Sequence, residues 1–253
     1  MSLALLATGS AAFAQDAEED RTRSRTRIAL GPQLVPSFPG SDSMRLRPLI
    51  DIARTRGNEP FPFEAPDEAA GPILWRSNGW QLGPALGVEG KRSRKDTDGL
   101  LPKVGFTVEL GGFVQYQLAP SLRLRTEVRQ GIGGHKGLIG TVSADYVARD
   151  RDQWLFSIGP RVTLTNDRYH RAYFGVDPAS AAASGLSAYK ADGGLQAVGA
   201  GTGFLYQLTP RWGLYSYAKY DRLVADAGRS PVVRAFGSRN QLSGGVALSF
   251  TFR

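Results

Sequence analysis

Few residue types in this chain can do chemistry. Its 253 residues include two histidines and no cysteine, with 31 Lys and Arg against 23 Asp and Glu, a net charge of +8. His135 ends a glycine-rich run, Gly131-Ile132-Gly133-Gly134-His135, and His170 follows Asp167. A hydrolase needs such a base beside a nucleophile and an orienting group. The sequence offers Asp167 with His170, or His135 with Ser143, and polar loop residues are the simpler reading of both pairs. Two histidines without cysteine are too few ligands for a metal centre. The glycine run lacks the Lys-Ser/Thr of a phosphate loop and suits a loop with positive φ angles. The expectation is therefore no catalytic residue, no metal, no cofactor and no enzymatic activity.

The charged residues are more informative. Arg123, Arg125, Glu127 and Arg129 alternate with Leu122, Leu124, Thr126 and Val128. Arg45, Arg47, Glu109, Asp145, Arg161 and Lys219 occupy the same kind of alternate position. In a closed sheet they would all point inward. Acids interleaved with bases fit an ion-pair network that fills a narrow lumen, since unpaired ions in a dry interior are costly. A water-filled pore preferring anions is the rival reading. A second basic group, Lys91, Arg92, Arg94 and Lys95, is expected on an outer loop, where lipopolysaccharide phosphate is a suitable partner.

A period of two positions these residues. Between Phe106 and Leu118, Phe106, Val108, Leu110, Val114 and Tyr116 alternate with Thr107, Glu109, Gln115 and Gln117. Similar alternation marks 122–129, 154–164, 45–52 and 245–252, and runs more weakly through 28–35, 71–76, 80–89, 138–148, 195–208 and 212–223. Several of these segments reach about ten residues, enough to cross a bilayer when tilted, whereas soluble strands average about five or six. Trp80, Tyr116, Tyr146, Trp154, Tyr206, Trp212 and Phe252 lie near strand ends, as interfacial aromatic girdles do. A soluble β-sandwich also alternates, but strand length and the aromatic ends favour an all-β antiparallel transmembrane barrel of ten to twelve strands. Short connections at 119–121, 149–152 and 209–211 contrast with long ones at 130–137, 166–194 and 224–241. One stretch resists the pattern. Phe61-Pro62-Phe63-Glu64-Ala65-Pro66-Asp67-Glu68 makes a poor lipid-facing strand, and eleven segments are odd where an even number is expected.

Composition narrows the class further. Hydrophobic residues make up 42% and charged residues 21%, which argues against global disorder. No apolar run is long enough for a membrane helix. Leu3 to Ala14 reads as the apolar core and A-x-A cleavage site of an export signal. The division is then a signal at 1–14 and a single barrel domain at 15–253, placed in the outer membrane of a Gram-negative bacterium. Export and the absence of a binding motif exclude nucleic acid.

The connections carry further motifs. Gly31-Pro-Gln-Leu-Val-Pro-Ser-Phe-Pro-Gly-Ser-Asp42, Gly133-Gly-His-Lys-Gly137, Tyr173-Phe-Gly-Val176 with Ala181-Ala-Ala-Ser-Gly-Leu186 and Tyr189, Ala225-Asp-Ala-Gly-Arg-Ser-Pro-Val-Val233 and Gly237-Ser-Arg-Asn-Gln-Leu242 follow one another in order. Together they resemble the MipA/OmpV family. The resemblance implies an outer-membrane barrel embedded in lipid and lipopolysaccharide. It also implies a scaffold role, joining a murein-degrading lytic transglycosylase to a murein-synthesising penicillin-binding protein. Other branches of the family are associated with adhesion and osmotic stress. Against that expectation stand the small-solute channel and, lower, an outer-membrane lipid hydrolase or an adhesin.

Overall fold

The computed structural model describes residues 23–252. The export signal expected at 1–14 and the terminal Arg253 lie outside the described residues. Eleven strands form one antiparallel sheet: β1 (Ser24–Pro36), β2 (Met44–Arg56), β3 (Trp75–Ser77), β4 (Trp80–Glu89), β5 (Thr107–Ala119), β6 (Leu122–Gly133), β7 (Leu138–Asp150), β8 (Trp154–Thr165), β9 (Gly194–Gln207), β10 (Trp212–Leu223) and β11 (Asn240–Phe252). Each pairs with its chain neighbour except β2 with β3, and β1 pairs with β11 from Thr26↔Phe252 to Leu34↔Gly244. First and last strands therefore meet, and the sheet rolls into a barrel whose two edge strands, β2 and β3, do not pair with each other.

Alternation of side chains sets which face is which. Leu124 is 41% exposed while its neighbours Arg123 and Arg125 are 2% and 5% exposed. Leu30, Ile50, Ile52, Leu110, Val128, Ile158, Leu214 and Leu248 likewise face out. A membrane barrel has this inverted arrangement, with apolar side chains in lipid and polar ones enclosed.

The short connections gather at one end, with Arg56 and Phe252. Asn78-Gly79, both at positive φ, make the tight turn between β3 and β4, as the twist of a two-residue hairpin demands. Trp80, Tyr146, Tyr206, Trp212 and Phe252 ring this end and are exposed, while Tyr116 packs on Trp80 at 4.6 Å. Barrels keep short turns on the periplasmic side, which assigns this end.

At the other end the long connections fold into short helices: a 3-10 turn at Arg94–Thr97, α1 (Asp167–Phe174), α2 (Pro178–Ser184), α3 (Ala225–Arg229) and α4 (Pro231–Phe236). Asn166, Asp177 and Ser230 cap three of them through side-chain oxygens, which satisfies otherwise orphaned N–H groups. The helices share one apolar cluster with the loops, including Phe38, Leu101, Val104, Tyr169, Tyr173, Phe174, Val232 and Val233. This cluster is a cap across the outer mouth.

The odd strand count has a structural cause. β2 and β3 both run toward the periplasm, so they cannot continue the antiparallel ladder. Between them residues 57–69 do not join the wall. They rise inside the barrel from its periplasmic end, and the chain returns to the wall at Ala70, which bridges to Leu86. It then descends beside β4, where Leu74 N–H donates to the Leu82 carbonyl. Pro60, Pro62 and Pro66 lack an N–H to give a ladder, which keeps this segment out of the sheet.

The lumen network, a candidate functional site

The alternation on β6 places Arg123, Arg125, Glu127 and Arg129 in one inward column. β5 and β7 flank it with Glu109 and Gln115 on one side and Asp145 on the other. Asp145 is 1% exposed. Its two oxygens accept from Arg123 Nη2 at 2.7 Å and Arg161 Nη2 at 2.8 Å. Arg129 Nε donates to Glu109 at 2.8 Å and its Nη1 to Glu127. Arg125 Nη2 donates to Glu127 at 3.1 Å and its Nη1 to Gln115 at 3.0 Å. The Arg125 guanidinium also lies 3.8 Å from the Phe113 ring centre.

The inserted segment completes this column. Glu68 pairs with Arg123. Asp67 accepts from Arg161 Nε at 2.9 Å and lies 3.4 Å from Lys219 Nζ, which also pairs with Asp221 at 3.0 Å. Backbone groups join in, with Arg123 donating to the Phe63 carbonyl at 3.2 Å and Arg125 to the Ala69 carbonyl at 3.2 Å. Lower down, Arg25 and Arg27 flank the Phe61 ring at 5.1 and 4.8 Å. Residues 57–69 are thus a plug, held by charge-assisted bonds that are stronger than neutral ones.

Sequence reading found the arginine column and its strand acids, but not the plug acids Asp67 and Glu68. Their only signal was the stretch of proline and acid that broke the period. Two lumen candidates sit differently from the rest. Arg45 lies at the outer rim, paired with Asp96 at 3.1 Å. Arg47 makes no direct ion pair among the described residues and lines a chamber of about 490 Å³ between plug and cap, with Glu89, Arg129, Lys219 and Asp221.

The basic loop is at the outer end. Lys91, Arg94 and Lys95 are exposed, but Arg92 is not. Its side chain turns inward, and its guanidinium donates to the Tyr173 and Pro102 carbonyls at 3.0 Å each. Burial pulls the guanidinium down to about 10, so it stays charged at neutral pH. Arg92 is therefore a strut of the cap rather than a surface cation. Arg92→Met leaves two buried carbonyls unsatisfied, and a loss of about 1–3 kcal/mol is expected, measurable as faster hydrogen exchange in α1.

Both histidines belong to the cap. His135 Nδ1 accepts the Gly137 N–H at 3.0 Å, so Nε2 carries the proton and faces Glu109 Oε1 at 3.1 Å. Gly133 of the same loop has φ +98°, and a Cβ on Gly131 would lie 2.3 Å from the imidazole, so the glycines let the loop close over His135. His170 Nδ1 meets the Asp192 carbonyl, while Asp167 accepts from the Gly193 N–H at 2.7 Å. Asp167 thus does not orient His170. Burial holds His170 below its ordinary 6.5, against the raising influence of the Asp192 carbonyl and of Asp226, Asp167 and Asp192. The folded cap therefore favours neutral imidazole. Its contribution is complete above the unfolded value and declines as pH falls below about 6.5. Protection of the α1 amides, corrected for the intrinsic exchange rate at each pH, is expected to fall between pH 7 and 5, and His170→Gln should flatten that dependence.

A sheet rolled into a barrel, with apolar exterior, aromatic rim and enclosed ion pairs, defines an outer-membrane-type β-barrel. The family profile described as MltA-interacting protein MipA matches residues 28–252. The chain belongs to the MipA family, and its place is the outer membrane. No curated protein sequence matches it. Among solved structures it is similar to the NanC porin at 10% identity and a TM-score of 0.42, covering 89% of this chain and 98% of that one. It is also similar to an outer-membrane channel from Pseudomonas putida F1 at 10% identity and a TM-score of 0.43, covering 90% and 95%.

Proposed function

We propose that this barrel is a non-enzymatic, non-conducting scaffold of the outer membrane, whose periplasmic face meets cell-wall enzymes. One observation carries the reading: the lumen is closed twice, by the ion-paired plug and by the apolar cap. A barrel closed in this way offers its two faces rather than its bore. The periplasmic face is a firm one. Arg25 and Arg149 both pair with Asp152 in the β7–β8 turn, at 3.2 and 3.1 Å, and Asp152 also accepts from the Phe61 N–H at 2.9 Å. The plug base and one turn are thus tied together as a single surface. The partners proposed, a lytic transglycosylase and a penicillin-binding synthase, are those that the resemblance to the family implies.

The test is binding of the refolded barrel to the lytic transglycosylase of its own organism. A dissociation constant at or below about 1 μM, about −8 kcal/mol, weakened by substitutions in the 150–153 turn, is the expected result. No binding at ten times that concentration would remove the scaffold reading.

A further inference from the structure

The wall has a seam. Beyond β1, β2 has no strand partner, and among the described residues no backbone hydrogen bond links it to residues 70–89. At the outer end side chains bridge the gap, with Arg45 donating to the Lys91 carbonyl at 3.2 Å and pairing with Asp96. Lower down the gap opens as a groove of about 1080 Å³ that starts on the lipid-facing surface and reaches the plug. Its walls are apolar at mid-depth, with Ile52, Ile73, Pro84, Leu86 and Leu110. Its periplasmic end carries Arg54, Arg56, Arg76 and Glu59, and Glu64 of the plug faces into it. Arg54 Nε donates to Ser24 Oγ at 2.7 Å. The side chains of Arg56, Arg76, Glu59 and Glu64 make no hydrogen bond or ion pair among the described residues.

An open strand edge in hydrocarbon is costly, because nothing there accepts or donates to its backbone. Whatever fills this groove must therefore supply hydrogen-bonding oxygens as well as hydrocarbon. It must also place a negative group near three arginines at the depth where the inner leaflet's headgroups lie. We propose that the seam binds a glycerophospholipid of the periplasmic leaflet, with its phosphate on Arg54, Arg56 and Arg76 and an acyl chain running up the groove past Ile52 and Leu86 to Glu64. The phosphate meets the arginines by charge-assisted bonds. Ester and phosphate oxygens accept from backbone N–H groups at the lower edge of β2. Glu59 at the rim suits an ammonium headgroup.

The experiment uses the full chain in phosphatidylethanolamine vesicles containing a phosphatidylethanolamine with a diazirine near its acyl terminus. Carbenes from alkyl diazirines label carboxylates well, and a lipid outside an intact wall cannot reach Glu64. Photolabelling at Glu64 or Pro62 comparable to that at Leu110 is the expected result. Arg54→Gln, Arg56→Gln and Arg76→Gln together should reduce the Glu64 label at least tenfold and leave the label at Val142, on β7, unchanged. Migration on gels before and after boiling reports that this variant still folds. Label confined to outward residues would overturn the proposal. So would an undiminished Glu64 label in the triple variant, or equal labelling by a diazirine-bearing alkyl glycoside that has no phosphate.

Discussion

Deleting both closures is expected to turn this barrel into an anion-preferring channel, while deleting either alone leaves it shut. The plug can be shortened by replacing 58–69 with a brief Gly-Ser linker. The cap can be shortened by joining Thr165 directly to Gly194, which already face each other across β8 and β9. Each variant leaves one barrier. The capless barrel keeps Asp67 and Glu68 on Arg161 and Arg123, and the plugless one keeps the apolar cluster over its mouth. In the double variant Arg123, Arg161 and Lys219 lose their plug partners. They keep Asp145 and Asp221, but a lumen stripped of the plug's acids carries more positive charge and favours anions. Planar-bilayer recording should show baseline current for each single variant and discrete anion-selective steps for the pair. Steps in the plugless variant alone would mean that the cap does not seal.

Asp145→Ala is expected to be the most destabilising single substitution in the wall. One carboxylate, 1% exposed, sits between two guanidiniums on neighbouring strands. Removing one partner of a buried pair strands the other charge, at a cost of about 3–5 kcal/mol. Here two charges are stranded, although Glu68 and Asp67 still face them. Lys190→Ala provides the contrast, because its pair with Asp192 is largely exposed and such pairs contribute about 0–1 kcal/mol. Urea unfolding in lipid vesicles, followed by tryptophan fluorescence, measures both. Because Arg161 and Asp145 share one network, Asp145→Ala with Arg161→Ala should cost less than the sum of the two single changes. Equal small effects for Asp145 and Lys190 would mean that water already screens the lumen.

The strands were legible because their signal is local. A residue on β6 or β10 faces lipid or lumen according to its parity alone, so Leu124 and Arg125 declare their sides without knowledge of any partner. Ten of the eleven segments found by alternation are strands, the eleventh, 71–76, overlaps a strand only at Trp75 and Arg76, and the arginine column follows from the same rule. The plug was not legible, because nothing in Phe61–Glu68 states where an irregular segment goes. Its prolines exclude the ladder, and its acids require cations, but which cations depends on the closed barrel. The odd count was the trace it left, since a chain that spends one passage inside the lumen returns to the wall with the wrong parity. The cap helices were hidden for a different reason. Isolated helices of five to eight residues are unstable in water, so α1 to α4 exist only through the cluster that Tyr173 and Phe174 form with Val232 and Val233. Arg92 shows the same limit: as a member of a basic run it reads as a surface cation, and only tertiary packing turns it inward.

The closed lumen is the claim on which the scaffold reading depends. Its most direct test is the conductance of the unaltered, full-length protein in a planar bilayer. Baseline current with no steady steps is expected, at neutral pH and across the usual range of applied voltage. A steady anion-selective conductance that falls when Arg47 is replaced by Ala would contradict it, and would make the arginine-lined bore the functional site.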